Sequence, residues 1–304
     1  MLRRLLLVWI LLFACQLPAS ATDDRPAYPP TKKGGTTYSL HGLGVADPYQ
    51  WLENDEHKDV VAWDGAQSAV LRRRLDAFED RASLQSTLKA EFDLGGMKSL
   101  PTFEGGQRWY TYRPKGSDHA RLYSVVDGQR PRMVLNPNRW ASDRTAGLRA
   151  WHVSPDGRYV AYRRDQYGSE DTTRYVWDTN TRKNLPEFID RTKFSSVVWL
   201  EDSSGFFYSR MPDKGSVPRG EDQYHRRLYF HKIGSLVLDD PMVYGRGRPM
   251  LESFLLYKSA DRKGLLLRRG MPYGAIETFL CSWKDGALGL TPLIEKKDER
   301  TVVD

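Results

Sequence analysis

The sequence predicts a mainly β fold, a partial β-propeller of about four blades preceded by an extended arm and two helices. Three observations predict it: a strand-and-turn pattern that recurs four times after about residue 100, apolar residues at helical spacing before it, and a Pro-, Gly- and Thr-rich stretch before those. A period near 50 residues, built only of short strands and turns, is typical of propeller blades because each blade buries its faces against its neighbours.

Residues 1–21 have the features of a secretory signal peptide. Arg3 and Arg4 precede an apolar run too short to span a bilayer, and Ala19–Ala21 forms a small-residue cleavage site. We therefore expect cleavage after Ala21 and a periplasmic or secreted protein. A lipid anchor at Cys15 is the second interpretation, ranked lower because Phe13 fits such a site poorly, and a buried helix or membrane anchor is the third.

Composition favours a globular chain with a large core, since 40% of the residues are hydrophobic and 12% aromatic. Loss of the signal peptide lowers the formal charge from +7 to +5 and removes Cys15, so Cys281 remains alone and no internal disulfide is expected. Arg72–Arg74 lie close to Asp76 and Glu79, which is typical of a solvated helix face, so we expect no nucleic-acid partner.

Residues 22–95 are predicted to form the arm and the helices. The arm covers residues 22–46, and the compact run Asp47–Glu53 follows it. Apolar residues at three- and four-residue spacing from Val60 to Phe78 predict an amphipathic helix that begins near Asp59. A second helix is predicted over Ser83–Phe92, with Ser83 as its N-cap.

Residues 96–304 hold the four repeats, each with two halves. The first half is a turn followed by an aromatic or apolar strand: Glu104–Tyr112, Pro155–Tyr162, Asp202–Tyr208 and Asp261–Leu267. The second half is another strand: Arg121–Val126, Arg174–Trp177, Arg227–Phe230 and Thr278–Trp283. Tyr123, Val176, Tyr229 and Leu280, one in each second half, are separated by 53, 53 and 51 positions. Asp-Gly pairs at Asp156 and Asp285 predict tight hairpins rather than metal ligands.

The chain carries no motif from which an active site can be assembled. It has no G-x-S-x-G nucleophile elbow, no H-E-x-x-H and no Cys-x-x-Cys, and its six histidines are scattered. His225 and His231 form the only close pair, for which a packing or surface role is favoured over ligation. The sequence therefore predicts no catalytic residue, metal or cofactor in these 304 residues.

Several motifs together resemble the prolyl oligopeptidase family of serine peptidases. They are the run Asp47–Glu53 (D-P-Y-Q-W-L-E), Trp63 and Gln67 on the following helix, Val153–Tyr162, Lys193–Ser195, Trp199, Gly205–Ser209 and Leu228–Gly234. Their order and spacing agree with the family from about Tyr28 to the end of the chain, so the resemblance covers nearly the whole predicted mature protein.

The resemblance implies an α/β-hydrolase domain capped by a seven-bladed propeller that admits only short peptides. Residues 22–95 would then wrap the hydrolase domain, and residues 96–304 would supply about the first four blades. The remaining blades and the Ser-Asp-His triad are expected outside this chain, so the chain alone is expected to be inactive. A hydrolase domain and a short peptide are the expected partners, with proline and basic-residue specificity both open.

The resemblance also nominates three substrate-binding residues. Phe194, Met250 and Met271 match propeller residues that line an apolar subsite beside the proline pocket, and flexible methionine thioethers suit such a pocket. Ordinary packing is the alternative role for all three. The expected function is therefore a non-catalytic propeller that gates and orients peptides; a stand-alone periplasmic binding or scaffolding propeller, or a vestigial truncated product, are the alternatives.

Overall fold

The computed structural model describes residues 27–94 and 96–294, and it divides into two compact units that meet between Glu91 and Phe92. The predicted signal peptide, its cleavage site and Cys15 lie outside the described residues. The domain boundary at residue 95 stays a prediction.

The first unit contains a hairpin and two α-helices. Its elements are β1 (Thr37–Leu40), β2 (Leu43–Ala46), a 3₁₀ turn (Gln50–Glu53), α1 (Lys58–Asp76) and α2 (Arg81–Phe92). Three side-chain nitrogens hold the arm: Trp51 Nε1 donates to the Lys32 carbonyl at 2.8 Å, Trp63 Nε1 to Thr31 Oγ1 at 3.0 Å, and Gln67 Nε2 to the Pro29 carbonyl at 3.4 Å. The D-P-Y-Q-W-L-E run and α1 thus fix the path of the arm.

Two details of this unit differ from the sequence predictions. The arm contains the β1–β2 hairpin, whose turn residues His41 and Gly42 have φ of 51° and 81°; a His-Gly pair takes the place of the usual Asn-Gly signal. The second helix begins at Arg81, so the prediction that Ser83 is its N-cap was wrong: Leu84 already donates to the Asp80 carbonyl at 2.8 Å. Neither helix in the described ranges is long and apolar enough to cross a bilayer.

The second unit consists of four antiparallel sheets that follow one another along the chain. The first sheet contains β3 (Met97–Lys98), β4 (Thr102–Glu104), β5 (Gln107–Arg113), β6 (Arg121–Val125) and β7 (Arg132–Leu135). The second contains β8 (Gly147–Val153), β9 (Tyr159–Asp165), β10 (Thr173–Asp178) and β11 (Lys183–Ile189). The third contains β12 (Val197–Trp199), β13 (Gly205–Arg210), β14 (Arg227–Lys232) and β15 (Met242–Tyr244). The fourth contains β16 (Ser253–Lys258), β17 (Leu265–Gly270), β18 (Ile276–Lys284) and β19 (Ala287–Ile294). Short 3₁₀ helices cover Pro137–Arg139 and Val237–Asp239.

The repeat halves form the two middle strands of each sheet, which confirms the partial propeller. In every sheet the strand from the first half pairs with the strand from the second half, and the four landmark residues all lie in such pairs: Tyr110 with Tyr123, Ala161 with Val176, Tyr208 with Tyr229, and Leu266 with Leu280. Asp285 and Gly286 have φ of 52° and 76°, as the predicted Asp-Gly hairpin requires.

The core is divided into three buried clusters, and each one joins two consecutive sheets. The first joins β5–β7 to β8 and β9 through Trp109, Leu122 and Tyr162. The second joins β9–β11 to β12 and β13, and the third joins β12–β14 to β16–β18. The apolar faces of each sheet are therefore buried by the neighbouring sheets, and this is the physical reason for the repeat.

The first two sheets also touch at two turns. Gly105, in the β4–β5 turn at φ 57°, lies so close to the β8–β9 turn that a Cβ on it would meet the Gly157 nitrogen at 2.4 Å. The next residue, Gly106, has a similar φ of 67° but faces open space, with nothing within 4 Å of an added Cβ. A substitution at Gly106 would therefore add only backbone strain, whereas one at Gly105 would add both backbone strain and a steric clash.

We expect Gly105→Ala to lower the free energy of unfolding by about 3 kcal/mol or more, because left-handed strain and a backbone clash add together. Gly106→Ala is the matched control and should cost about 1–2 kcal/mol, from strain alone. Urea unfolding of the chain measures both. Equal losses would show that the two turns do not pack as described.

Candidate functional site

Strands of all four sheets line a common channel. A cavity of about 550 Å³ is lined by residues from β4, β8, β12 and β16, including Glu104, His152, Trp199 and Tyr257. Arg262, in the β16–β17 hairpin, forms an ion pair with Glu104 at 2.9 Å and so links the fourth sheet to the first beside this channel. The channel is the one cavity described here to which all four sheets contribute.

The three nominated residues share one end of the sheets. Phe194 lies three residues before β12, and Met250 lies three residues before β16. Met271 directly follows β17, which runs antiparallel to β16, and Gly270 at its end pairs with Ser253 at the start of β16. Sheet topology thus places all three where β12 and β16 begin.

Phe194 is an exposed aromatic ring on a constrained backbone. Its side chain is 63% exposed, and its φ of 52° lies in the left-handed region, which a bulky residue adopts only when its surroundings enforce it. Arg226 Nη1 donates to the Phe194 carbonyl at 3.1 Å, and the Lys193 ammonium lies 5.3 Å from the ring centroid. The ring is therefore presented to solvent from a fixed loop.

Met250 and Met271 are also partly exposed, at 38% and 42%. The Met250 carbonyl accepts the backbone N–H of His225 at 2.9 Å, so consecutive residues, His225 and Arg226, hold the Met250 and Phe194 segments. Met271 lines a separate cavity of about 480 Å³ at the β17–β18 turn, together with Arg268 and Tyr273. The structure brings the first two segments together, and Met271 joins them only through the β16–β17 pairing. A role in substrate binding stays a prediction for all three.

A group of arginines beneath the Phe194 loop was missed by the sequence analysis. Arg163 Nη1 donates to the Thr192 carbonyl at 3.1 Å, and Arg174 Nη2 donates to the Ser195 carbonyl at 3.0 Å and to Ser195 Oγ at 3.1 Å. With Arg226, three guanidinium groups bind the backbone of residues 192–196. The available signal was the alternation along β10, which places Arg174 on the same buried face as Val176.

Burial and mutual repulsion shift the pKa values of this group. Burial first, and then the charge of Arg163, lower the pKa of Arg174 to about 9. Burial, followed by the charges of Arg174 and Arg163, lowers the pKa of the neighbouring His152 to about 3. Burial also lowers the pKa of Arg163 and of Arg226. His152 is therefore neutral at ordinary pH, whereas the arginines remain charged.

A second open cavity adjoins the first two sheets at the same end. It measures about 760 Å³ and is lined by residues that include His119, Arg149 and Tyr167. Arg149 is neutralised by the buried carboxylate of Asp165 at 2.5 Å. This cavity is polar and open, in contrast to the enclosed arginine group.

The histidines do not form a metal centre. His225 Nε2 lies 2.5 Å from a Glu221 carboxylate oxygen, and the buried His231 Nδ1 lies 2.9 Å from Asp240. Each therefore has its own carboxylate partner. Among residues 27–94 and 96–294, no three His, Cys, Asp or Glu side chains are placed to hold a metal ion.

The architecture and its motifs match a known family model. The model described as the prolyl oligopeptidase N-terminal β-propeller domain covers residues 29–303. The chain belongs to this family.

Curated relatives are considerably longer than the chain. The prolyl endopeptidase of Elizabethkingia miricola is 29% identical over 84% of this chain and 36% of its own length. Prolyl oligopeptidase A of Galerina marginata is 32% identical over 72% of this chain and 34% of its own length. The chain thus spans about a third of the length of these relatives.

Solved structures of the family share the fold. One, from a study of two prolyl endopeptidases and their inter-domain dynamics, superposes with a TM-score of 0.80 at 26% identity and covers 90% of this chain and 40% of its own. Prolyl oligopeptidase B of Galerina marginata, bound to a 35mer hydrolysis and macrocyclization substrate, gives 0.74 at 23% identity over 89% of this chain and 42% of its own. The second comparison supports the fold alone.

The lowered pKa of His152 predicts a loss of stability in acid. Unfolding restores an ordinary histidine pKa near 6.5, so between about pH 6.5 and pH 3 the unfolded chain binds a proton that the folded chain does not. We expect this to cost on the order of 2–3 kcal/mol at pH 4 in a low-salt buffer. His152→Gln should lose correspondingly less stability between pH 7 and pH 4 in urea unfolding.

The control for this prediction is His41→Gln, at an exposed histidine in the β1–β2 turn. It should follow the wild-type pH profile. Parallel profiles for wild type and His152→Gln would contradict the assignment.

Proposed function

We propose that this chain is the propeller part of a prolyl-oligopeptidase-type serine endopeptidase, in which it admits short peptides and orients them for cleavage. An α/β-hydrolase domain outside these 304 residues would supply the Ser-His-Asp triad for acyl transfer. Export to the periplasm or the exterior, through residues 1–21, belongs to the same proposal.

The observation that carries the proposal is the convergence of Phe194, Met250 and Met271 on one end of the sheets. All three are apolar and partly exposed, and the first two are held by the same segment, His225–Arg226. An exposed apolar surface on a fixed backbone suits a ligand that contributes apolar side chains, because little ordering entropy is lost on binding. A peptide with proline and other apolar residues has this chemistry.

The first test is hydrolysis by the chain alone. The sequence has no G-x-S-x-G elbow, so we expect no turnover of a chromogenic prolyl substrate. Turnover that a serine-directed inhibitor abolishes would overturn the assignment of the triad to another domain.

The second test is peptide binding. Truncation of an aromatic ring that becomes buried against a ligand removes about 1.5 kcal/mol or more, so Phe194→Ala should weaken binding of a fluorescent proline-containing peptide about tenfold or more. Phe188→Ala is the matched control, because Phe188 is similarly exposed, at 60%, but lies on the outer strand β11. Fluorescence polarisation with the whole chain measures both.

Equal affinity for wild type and Phe194→Ala would remove Phe194 from the peptide site. Loss in both phenylalanine variants would indicate a general disturbance of the second sheet and third sheet rather than a subsite, and would also count against the assignment.

A second candidate function is a binding propeller that acts without a catalytic domain. The ion pair between Arg262 and Glu104 favours it, since it links the fourth sheet to the first. A monodisperse species in size-exclusion chromatography that binds peptide and unfolds in one transition would support this candidate, whereas aggregation through open sheet edges would count against it.

A further inference from the structure

Three arginines at the boundary between the second and third sheets, Arg163, Arg174 and Arg226, form no ion pair with a described carboxylate. Arg174 on β10 pairs with Arg163 on β9, and its side chain is fully buried. Among the described residues, neither these two arginines nor Arg226 has a carboxylate within ion-pair distance; their partners are the carbonyl and hydroxyl groups of the Phe194 loop and of Ser209. Like charges in directly opposed positions destabilise a sheet, and a buried charge without a counterion is costly.

Several side-chain nitrogens of this group have no partner in the described chain; those of the arginines are donors, and Nδ1 of the neutral histidine is a donor in one of its two tautomers. They are Nε and Nη1 of Arg174, Nε of Arg163 and the buried Nδ1 of His152, which lies on the same face. Buried polar atoms are nearly always satisfied, so four on one face call for a common acceptor. The adjacent residues on that face, Ala150 and Ala161, carry only methyl groups and offer no acceptor to the guanidinium groups.

The third sheet provides an internal comparison. There Arg227 pairs with Arg210, a second pair of like charges, on the face that the third sheet turns toward the second. There the protein supplies its own counterions, because Arg210 Nη2 lies 2.5 Å from Asp190 and 2.6 Å from Asp213. The pKa of Arg210 is raised because these carboxylates outweigh the effect of burial, the opposite of Arg174. The buried carboxylates on the corresponding face of the second sheet, Asp165 and Asp178, pair with Arg149 and Arg158 rather than with Arg163 or Arg174.

We propose that Arg163, Arg174 and His152 bind a small monovalent inorganic anion, of which chloride is the example, between the second and third sheets. The anion would replace the missing carboxylate and accept from the unpartnered donors. An organic acid fits less well, because Arg174 is fully enclosed beneath residues 192–196 and a larger group would have to displace that loop. The proposal is independent of the proposed peptidase function.

Thermal unfolding of the whole chain tests it, with sodium chloride compared with sodium gluconate at equal ionic strength. An anion that binds only the folded state raises the unfolding midpoint, by roughly 3–6 °C at about ten times its dissociation constant, and the rise follows a saturating curve. Formate in a third series separates the sources: stabilisation by chloride but not by formate supports the inorganic anion, whereas stabilisation by formate alone would overturn it in favour of a carboxylate.

Variants locate the site. Arg174→Met should abolish the difference between chloride and gluconate, and Arg163→Met, which is less buried, should reduce it and serves if Arg174→Met does not fold. Arg130→Met is the control, at an exposed arginine of the first sheet, and should respond as wild type does. Crystals soaked in bromide should show an anomalous peak within hydrogen-bond distance of Arg174. Equal midpoints in chloride and gluconate, or an undiminished chloride response in both test variants, would overturn the proposal.

Discussion

The packing of each sheet against the next is the constraint on which the rest of the structure depends. A single four-stranded sheet of this length has two faces to bury, and residues 96–294 contain no α-helix to cover them. The three buried clusters each straddle one boundary between sheets, so no sheet has a core of its own. Stability of one repeat is therefore inseparable from the position of its neighbours.

The boundary between the second and third sheets shows how this constraint shapes the candidate site. Ala161 and Val176 pack there with Trp199 and Phe206, while Arg163 and Arg174 occupy the same face nearer the Phe194 loop. The apolar half keeps water from the guanidinium groups, which strengthens their hydrogen bonds to the loop carbonyls. The backbone of Phe194 is consequently positioned by buried polar contacts, and its ring is left free to meet a ligand.

The architecture could be predicted from the sequence because the repeated apolar strands are the ones that become buried between sheets. Strands with alternating or continuous apolar residues recur about every 50 positions, and some of the turns between them contain Gly at positive φ, as at Gly106, Gly157 and Gly286. The β1–β2 hairpin was not predicted because its turn, His41-Gly42, is not one of the usual hairpin pairs. The start of α2 was misplaced because Ser83 is a residue type that often caps helices, but the helix begins two residues earlier, at Arg81.

The candidate site was harder to predict from the sequence than the fold, for a different reason. Phe194 and Met250 lie 56 positions apart, and only the loop contacts of His225 and Arg226 bring their segments together, so no local pattern predicts their proximity. A strand arginine is ordinarily exposed, and whether it is buried depends on register and on the next sheet. Arg174 and Arg227 are one repeat of 53 positions apart, yet they lie on opposite faces of their sheets, and Arg174 is fully buried whereas Arg227 is only partly buried.

The buried arginines also determine how the Phe194 loop is held. Backbone in the left-handed region costs on the order of 1–3 kcal/mol for a residue such as Phe194, so the surroundings must supply more than that. Hydrogen bonds from a charged donor contribute about 1.5–3 kcal/mol each, and the loop receives them from Arg163, Arg174 and Arg226. Neutral donors at these positions would provide roughly half as much, which would leave little margin over the strain. The loop therefore depends on three charged guanidinium groups that have no carboxylate partner. An anion bound between the sheets would supply the missing negative charge while leaving these hydrogen bonds in place.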